Sequence, residues 1–165
     1  MMQVSDSSIH AFVIGEHGDS QYVSLLDSVG SESQVLSFLQ VAWSSATVHG
    51  RPLLKALPLT KTEREEIATT TRMKADSIIK VKGFTSYGVA AVTARMCEAI
   101  IFDHRKILPL SHWQEDLGCC LSLPAILGRK GISPFPVDLD ETEHQFLVQS
   151  AKALRLIIKE NDQNS

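Results

Sequence analysis

A histidine flanked by glycines and acids is the candidate for proton chemistry in this chain. His17 lies in the run Gly15-Glu16-His17-Gly18-Asp19, which follows an apolar stretch over residues 9–14. Imidazole has an unperturbed pKa of about 6.5, so it can both accept and donate a proton near neutral pH. The two glycines remove side-chain bulk where a substrate would approach. The pattern predicts a strand that ends in a polar turn carrying an acid–base histidine, and by spacing alone a solvated histidine in a turn is the alternative.

Three sequence blocks, in the same order, resemble blocks of the L-lactate dehydrogenases within the lactate and malate dehydrogenase superfamily. The blocks run from His10 to Ser20, from Ile79 to Ala90 and from Leu121 to Ile132. In that family the histidine of the first block is the proton donor and acceptor at the 2-hydroxy or 2-keto carbon, while a hydride passes to or from a nicotinamide. The resemblance implies that His17 is catalytic, that NAD is the cofactor and that a small 2-keto or 2-hydroxy acid is the substrate.

The second block contains two further candidate site residues. In the family the position of Thr85 faces the substrate side chain, and threonine there is typical of enzymes for lactate-like, uncharged substrates. No arginine or lysine stands at this position to hold a second carboxylate, which favours lactate over malate. Val89 matches an apolar position that packs against the nicotinamide ring. From residue chemistry alone, a helix N-cap for Thr85 and an ordinary core position for Val89 are the alternatives.

The chain lacks the sequence signal of a dinucleotide-binding domain. It contains no G-x-G-x-x-G after a strand with an acidic residue about twenty positions on. We therefore expect residues 1–165 to form one lactate/malate dehydrogenase-like C-terminal substrate domain, with the dinucleotide-binding N-terminal domain absent and the chain alone inactive. A non-catalytic remnant or interaction module that keeps only the fold is the alternative function. A malate dehydrogenase-like activity is the third option.

Composition and charge limit the partners of the chain. With 165 residues, 44% hydrophobic and 21% charged, the chain is long enough for one globular domain with a sizeable core. A net charge of −3 without a basic cluster argues against nucleic acid, and the apolar runs fall short of the roughly 18 residues that span a membrane. No H-E-x-x-H or C-x-x-C pattern predicts a metal site. The resemblance implies a homo-oligomer.

Three cysteines, and first residues without the charged-then-apolar pattern of a signal peptide, are the basis for an expected compartment. Cys97, Cys119 and Cys120 are odd in number, and adjacent cysteines seldom pair because disulfide geometry requires α-carbons about 5.5 Å apart. We expect three reduced, mostly buried thiols. The predicted localisation is cytoplasmic.

The predicted elements describe an α+β domain with a mixed, largely antiparallel sheet covered by long helices. The strands are expected at residues 9–14, 107–111, 118–123 and 132–137, with a hairpin turn over 128–131, and the prolines predict that some of these are edge strands or irregular strands. The helices are expected near 62–82, 86–103 and 140–160. The first helix would begin with a capping box at Thr60 and Glu63, or at Thr62 and Glu65. Apolar residues expected to face inward include Ile67, Ile78, Ile79, Val89, Val92, Met96, Ala99, Ile100, Phe146, Leu147, Ala151, Leu154, Ile157 and Ile158.

A departure from the family lies beside the candidate site. About twenty residues, Tyr22 to Gln40, are interposed before a segment that again resembles the family, Val41 to Val48. Residues 33–40 could form two helical turns. The sequence leaves open whether this insertion is a surface excursion, an aberrant splice or assembly product, or a segment that disrupts the continuing strand.

Overall fold

A computed structural model describes residues 5–16 and 39–163 of the chain. His17 and the interposed residues 22–38 lie outside the described residues. The elements in chain order are β1 (Ile9–His10), β2 (Val13–Gly15), β3 (Leu39–Val41), β4 (Thr47–Val48), β5 (Arg51–Pro52), α1 (Leu53–Ala56), α2 (Lys61–Arg72), α3 (Lys74–Lys82), α4 (Ser86–Ile101), β6 (Lys106–Gln114), β7 (Cys119–Gly128), β8 (Gly131–Pro134) and α5 (Glu141–Gln163).

A five-stranded antiparallel sheet organises the domain. Its order is β3-β2-β7-β6, and β8 also pairs with β7. The long β6–β7 hairpin extends from the pair Lys106 and Leu127 to the pair Gln114 and Cys119. Strand β2 joins β7 through the pair Gly15 and Ser122. Since every described strand pair is antiparallel and helices accompany the sheet, the predicted α+β fold class is confirmed.

Two prolines of the hairpin lie at different positions in the sheet. Pro109 and Pro124 are directly opposite each other. Pro109 is on β6, an edge strand among the described strands, as predicted. Pro124 is on the central strand β7, between Ser122, which pairs with β2, and Ala125, which pairs with β8. Pro124 therefore lies where the pairing of β7 passes from β2 to β8.

Helices α4 and α5 pack on the same face of β7. The odd-numbered residues of β7 share this face because side chains alternate along a strand. Ala125 and Leu127 pack with Ala99 of α4, whereas Cys119 and Leu121 pack with α5 through the buried residues Leu147 and Ala151. A third cluster, formed by Ala46, Val48 and Leu53, joins α1 to the small sheet β1-β4-β5.

Two predicted elements are divided in the structure. The first strand, expected over 9–14, splits into β1 and β2, which belong to different sheets. The helix expected over 62–82 is interrupted at Met73. Near this break the Thr71 hydroxyl donates to the Ile67 carbonyl four residues back at 2.8 Å, but Thr93 makes the same contact with Val89 inside the uninterrupted α4, so this contact alone does not explain the break. Residues 39 and 40, expected to be helical, begin strand β3.

The apolar faces of α2, α3 and α4 are more exposed than predicted. The side chains of Ile67 and Ile79 are 43% and 44% exposed, and Val92 and Ile100 are also exposed. On α4 only Ala99 is buried, with Met96 half-buried. On α5 the prediction holds for Leu147 and Ala151 and is wrong for Ile158. The periodicity identifies an apolar face correctly, but it carries no information on whether an element of the same chain covers that face.

The three cysteines are free thiols, as predicted, but two of them are exposed. Cys119 and Cys120 are neighbours on β7, so their side chains point to opposite faces and only Cys119 is buried. Burial raises the pKa of the Cys119 thiol. Cys97 lies on an exposed face of α4. The expectation of mostly buried thiols is therefore wrong.

In the described part of the chain, no helix has the length and apolarity needed to cross a membrane.

Candidate functional site

The strand that leads to His17 is tied to two other elements at its end. Ile14 of β2 is fully buried, and Gly15 pairs with Ser122 of β7. The backbone N–H of Glu16 donates to the Ser150 hydroxyl of α5 at 3.0 Å. Gly15 has a φ of 103°, a conformation that favours glycine. The chain is thus held in place up to the residue before His17, while His17 itself lies outside the described residues.

Ser150 is a positioning residue that the sequence reasoning missed. Its side chain is completely buried and it reaches across to the end of β2. The available signal was a hydroxyl within the apolar face of α5, between Leu147 and Ala151. A buried hydroxyl requires a hydrogen-bond partner, so such a residue predicts a polar contact with a neighbouring element.

Thr85 and Val89 lie one turn apart at the beginning of α4. Thr85 occupies the N-cap position, yet its side chain makes no capping hydrogen bond. Within the described part of the chain its hydroxyl has no hydrogen-bond partner, so capping does not account for it. Val89 is 63% exposed and is therefore not a core residue of this chain. Both side chains remain open to a ligand or to another domain.

A cleft of about 370 Å³ opens beside Thr85, where α3 meets the beginning of α4. The rings of Phe84 and Tyr87 are 5.6 Å apart at its edge, and the Lys82 ammonium lies 5.9 Å from the centre of the Tyr87 ring. A Cβ added to Gly88 would meet no atom within 4 Å, so this side of the cleft is open. The full lining is Lys74, Ser77, Ile78, Val81, Lys82, Phe84, Thr85, Tyr87 and Gly88.

The sequence analysis singled out Thr85 for substrate binding but did not single out the two lysines that line the same cleft. Lys74, Ile78 and Lys82 follow one another at intervals of four residues, so they lie along one side of α3. This spacing was the available signal.

Among residues 5–16 and 39–163, no group of three or more histidine, cysteine or acidic side chains could hold a metal ion.

The described fold and the three sequence blocks define a class of protein. The model of the family described as lactate/malate dehydrogenase, alpha/beta C-terminal domain, matches residues 1–164. The chain therefore belongs to the lactate/malate dehydrogenase family, through its C-terminal domain. The resemblance drawn from the sequence is confirmed.

Particular relatives support this assignment. An L-lactate dehydrogenase of Allorhizobium ampelinum is 37% identical over 164 residues, and L-lactate dehydrogenase A of Rhizopus oryzae is 33% identical over 158 residues. These matches cover 93% and 95% of this chain but 47% and 44% of the relatives. The chain thus spans about half the length of the curated relatives it matches.

Solved structures of both branches of the family share the fold. A lactate dehydrogenase from a Medee basin deep-sea metagenome library superimposes with a TM-score of 0.76 and 27% identity over 92% of this chain and 46% of that one. The malate dehydrogenase from Aeropyrum pernix gives a TM-score of 0.73 with 25% identity over 94% of this chain and 48% of that one.

Proposed function

We propose that this chain supplies the substrate-side domain of an NAD-dependent oxidoreductase that interconverts pyruvate and L-lactate, or a similar 2-keto and 2-hydroxy acid pair. The observation that carries the proposal is the match of residues 1–164 to the C-terminal domain of the family, together with relatives named L-lactate dehydrogenases. Thr85, open in the cleft and uncharged, supports a lactate-like rather than a malate-like substrate.

His17 is the proposed acid–base residue. In reduction its protonated ring donates to the keto oxygen of the substrate, and in oxidation its neutral ring accepts the hydroxyl proton. Such a transfer requires a heavy-atom distance of about 2.6–3.2 Å, so the histidine must be held by a rigid element. The ties from Gly15 to Ser122 and from Glu16 to Ser150 hold the strand that precedes it.

Thr85 and Val89 would contact the two reacting molecules. The Thr85 side chain borders the cleft and would face the substrate side chain. Val89 offers an exposed apolar surface on which a nicotinamide ring could pack and from which water would be excluded. The bound NAD would supply or accept the hydride. The residues of this chain fit only the nicotinamide end of NAD, because the chain has no glycine-rich turn for the pyrophosphate of NAD.

The proposed enzyme needs a second domain that this chain does not contain. A dinucleotide-binding domain outside this chain would provide the main NAD site, the orienting carboxylate for His17 and the arginines for the substrate carboxylate. The complete protein would be a homo-oligomer. It would work in the cytoplasm, where free thiols such as those of the three cysteines are kept reduced.

The test combines this chain with the N-terminal half of the Allorhizobium ampelinum relative. We expect pyruvate-dependent consumption of NADH by the combination and by neither half alone. Calorimetric titration of NADH into this chain alone should show no micromolar binding, because no helix N-terminus receives the pyrophosphate. Micromolar binding to the chain alone, or a tight combined protein that does not turn over any small 2-keto acid, would contradict the proposal.

A non-catalytic interaction module is the second candidate, and the interposed residues 22–40 beside the candidate site favour it. In the same experiment this candidate predicts association of the two halves without turnover. Deleting residues 22–38 separates the two readings, because an enzyme blocked by the insertion would gain activity, whereas an interaction module would remain inactive.

A further inference from the structure

We infer that Ser150 of α5 sets the rate of the proposed reaction by positioning the strand end next to His17. We infer further that α5 makes this position independent of the interposed residues 22–38, because Glu143 holds the strand that follows them. The inference rests on the proposed function and deepens it. Both residues act through the backbone of the hairpin, so they are positioning residues and not catalytic ones.

The two positioning residues lie on one buried side of α5. Glu143, Leu147 and Ser150 follow one another at intervals of four and three residues, which places them on the same side of a helix. All three are buried. Leu147, which stands between the two polar residues, packs with Cys119 and Leu121 of β7. The helix therefore holds its two polar groups about 10 Å apart, since each residue rises by about 1.5 Å.

Ser150 holds the strand that precedes His17. The last ladder pairs of β2 are made by Gly15, with one residue of β3 and one residue of β7. Glu16 comes after this ladder, and its N–H donates to the Ser150 hydroxyl at 3.0 Å. A backbone N–H that leaves a sheet beside buried residues needs an acceptor, and Ser150 provides one. The bond thus joins the residue next to His17 to a packed helix.

Glu143 holds the strand on the other side of the interposed residues. Its backbone carbonyl accepts the side-chain amide of Gln40 at 2.8 Å, and Gln40 pairs with Ile14 of β2. Its carboxylate accepts the N–H groups of Trp43 and Ser44, just after β3. Helix α5 therefore contacts both strands of the hairpin, and the position of the strand end should not depend on the residues interposed between them.

Proton transfer is sensitive to this kind of positioning. A misplacement of about 1 Å at a reacting group can lower a rate by about 10²-fold. Removal of the Ser150 hydroxyl releases the Glu16 N–H and lets the end of β2 move, so it should lower kcat. The KM for NADH should stay near the parent value, because another domain holds most of the cofactor. A residue that only stabilises the fold would not separate kcat from KM in this way.

The first measurement is amide hydrogen exchange of Glu16 in the full chain, followed by two-dimensional NMR. The variants are Ser150→Ala, which removes the acceptor, and Ser150→Thr, which keeps a hydroxyl. Cys119→Ala is the matched control, because it removes a small buried side chain from the same contact between β7 and α5. We expect Ser150→Ala to speed the exchange of Glu16 by about two- to tenfold, the effect of one hydrogen bond. The control should leave this exchange near the parent rate.

The second measurement is kcat for pyruvate reduction, with KM for NADH, in the combined protein. We expect Ser150→Ala to lower kcat by about 10- to 10²-fold and to leave KM for NADH within about twofold of the parent value. Cys119→Ala should keep the parent kcat. In Ser150→Thr, kcat should follow the exchange of Glu16, so that a protected amide goes with parent activity and an unprotected amide with reduced activity.

The third measurement repeats the exchange experiment in the chain without residues 22–38. The exchange of Glu16, and its increase in Ser150→Ala, should be the same in both forms because α5 holds both strands. A change in Glu16 exchange on deletion that exceeds the change in Cys119→Ala would overturn the independence from the interposed residues.

The inference and the proposed function fail in different ways. Unchanged Glu16 exchange in Ser150→Ala would overturn the inference alone. So would a kcat that stays at the parent value although this exchange rises, or that falls equally in Cys119→Ala. A combined parent protein that turns over no small 2-keto acid would overturn the proposed function, whatever the exchange rate of Glu16.

Discussion

Glu143 connects α5 to the loop that follows the interposed segment. Its carboxylate accepts the N–H groups of Trp43 at 2.7 Å and Ser44 at 3.1 Å, and its second oxygen accepts from Asp140 at 3.3 Å. The residue is 6% exposed. Because hydrogen bonds to charged groups contribute about 1.5–3 kcal/mol, Glu143→Ala should lower the free energy of unfolding by about 2–3 kcal/mol.

Urea unfolding followed by tryptophan fluorescence measures this loss. Glu141→Ala is the matched control, since Glu141 lies in the same first turn of α5 but is exposed. It should change the free energy of unfolding by less than about 0.5 kcal/mol. Equal losses of unfolding free energy in the two variants would contradict a stabilising role for the buried hydrogen bonds of Glu143.

The hydrogen bonds of the Asp103 carboxylate predict that the stability of the protein depends on pH. Its carboxylate accepts the backbone N–H of Arg129 at 2.9 Å and two guanidinium contacts from Arg105 at 3.3 and 3.2 Å. The N–H of Arg129, followed by the Arg105 side chain, lowers the pKa of this carboxyl below its ordinary value of 3.8. The stabilisation by the ionised Asp103 carboxylate is therefore complete above the pKa of this group in the unfolded chain. It is lost as the pH falls through the lower pKa of the group in the folded chain.

The variant Asp103→Asn removes this charge and suits the local backbone, where φ is 52° and asparagine is tolerated. Parent and variant should differ in urea midpoint at pH 7, and the difference should shrink as the pH falls below about 4. Asp116→Asn, at an exposed position, is the control. A difference between parent and Asp103→Asn that stays constant from pH 7 to pH 3 would contradict the assignment.

At the scale of elements, the structure shows which of the two capping registers that the sequence left open is adopted at the beginning of α2. Thr60 accepts the N–H of Glu63 at 3.3 Å, and Glu63 accepts the N–H of Thr60 at 2.8 Å. Thr60→Ala should therefore cost about 1 kcal/mol of stability, whereas Thr62→Ala should be nearly neutral. Urea unfolding of both variants measures this, and the reverse order of losses would indicate the other register.

Local sequence predicted those elements whose signals are local. Gly83 ends α3 in the left-handed conformation with a φ of 79°, directly after the predicted helix end at residue 82, and Gly128 opposite Gly131 closes the predicted hairpin. The division of the first strand and the break at Met73 were not predictable from periodicity. The first depends on which distant strands pair with each part, and nothing in the structure explains the second.

The candidate site was predictable only where a family block covers it. His17, Thr85 and Val89 come from such blocks. The contact of Ser150 with Glu16 spans 134 positions, and the lysines of the cleft come together with Thr85 only through the packing of α3 beside α4. The spacing of the lysines and the hydroxyl in the apolar face of α5 were local signals, but neither signal identifies the contact partner.

At the scale of the whole molecule, the exposed apolar face of α4 predicts association of the isolated chain. Val89, Val92 and Ile100 lie on one side of α4 by their spacing and are between 40% and 63% exposed. Contiguous apolar surface of this kind usually marks an interface. Light scattering should show a mass that rises with concentration, and the double variant Val89→Ser, Val92→Ser should reduce the rise. A monomer at high concentration with a sharp cooperative melt would argue against an interface on this face.

The combined protein, with the cofactor half of a relative, also allows His17 to be tested. If His17 is the acid–base residue, its imidazolium donates to the keto oxygen, so reduction of pyruvate should decline as the pH rises and the ring loses its proton. NADH affinity should be nearly unchanged by substitution of His17, because the other half holds most of the cofactor. Both forms, with and without residues 22–38, serve as parents so that the insertion cannot hide the effect.

The most direct measurement is kcat for pyruvate reduction, as a function of pH, in the active parent and in its His17→Gln variant. We predict a loss of about 10²- to 10⁴-fold in kcat, the size of a proton-transfer contribution, together with loss of the decline at high pH. A His17→Gln variant that keeps most of the parent's kcat with the same pH profile would contradict the assignment of His17 and, with it, the proposed role of this domain.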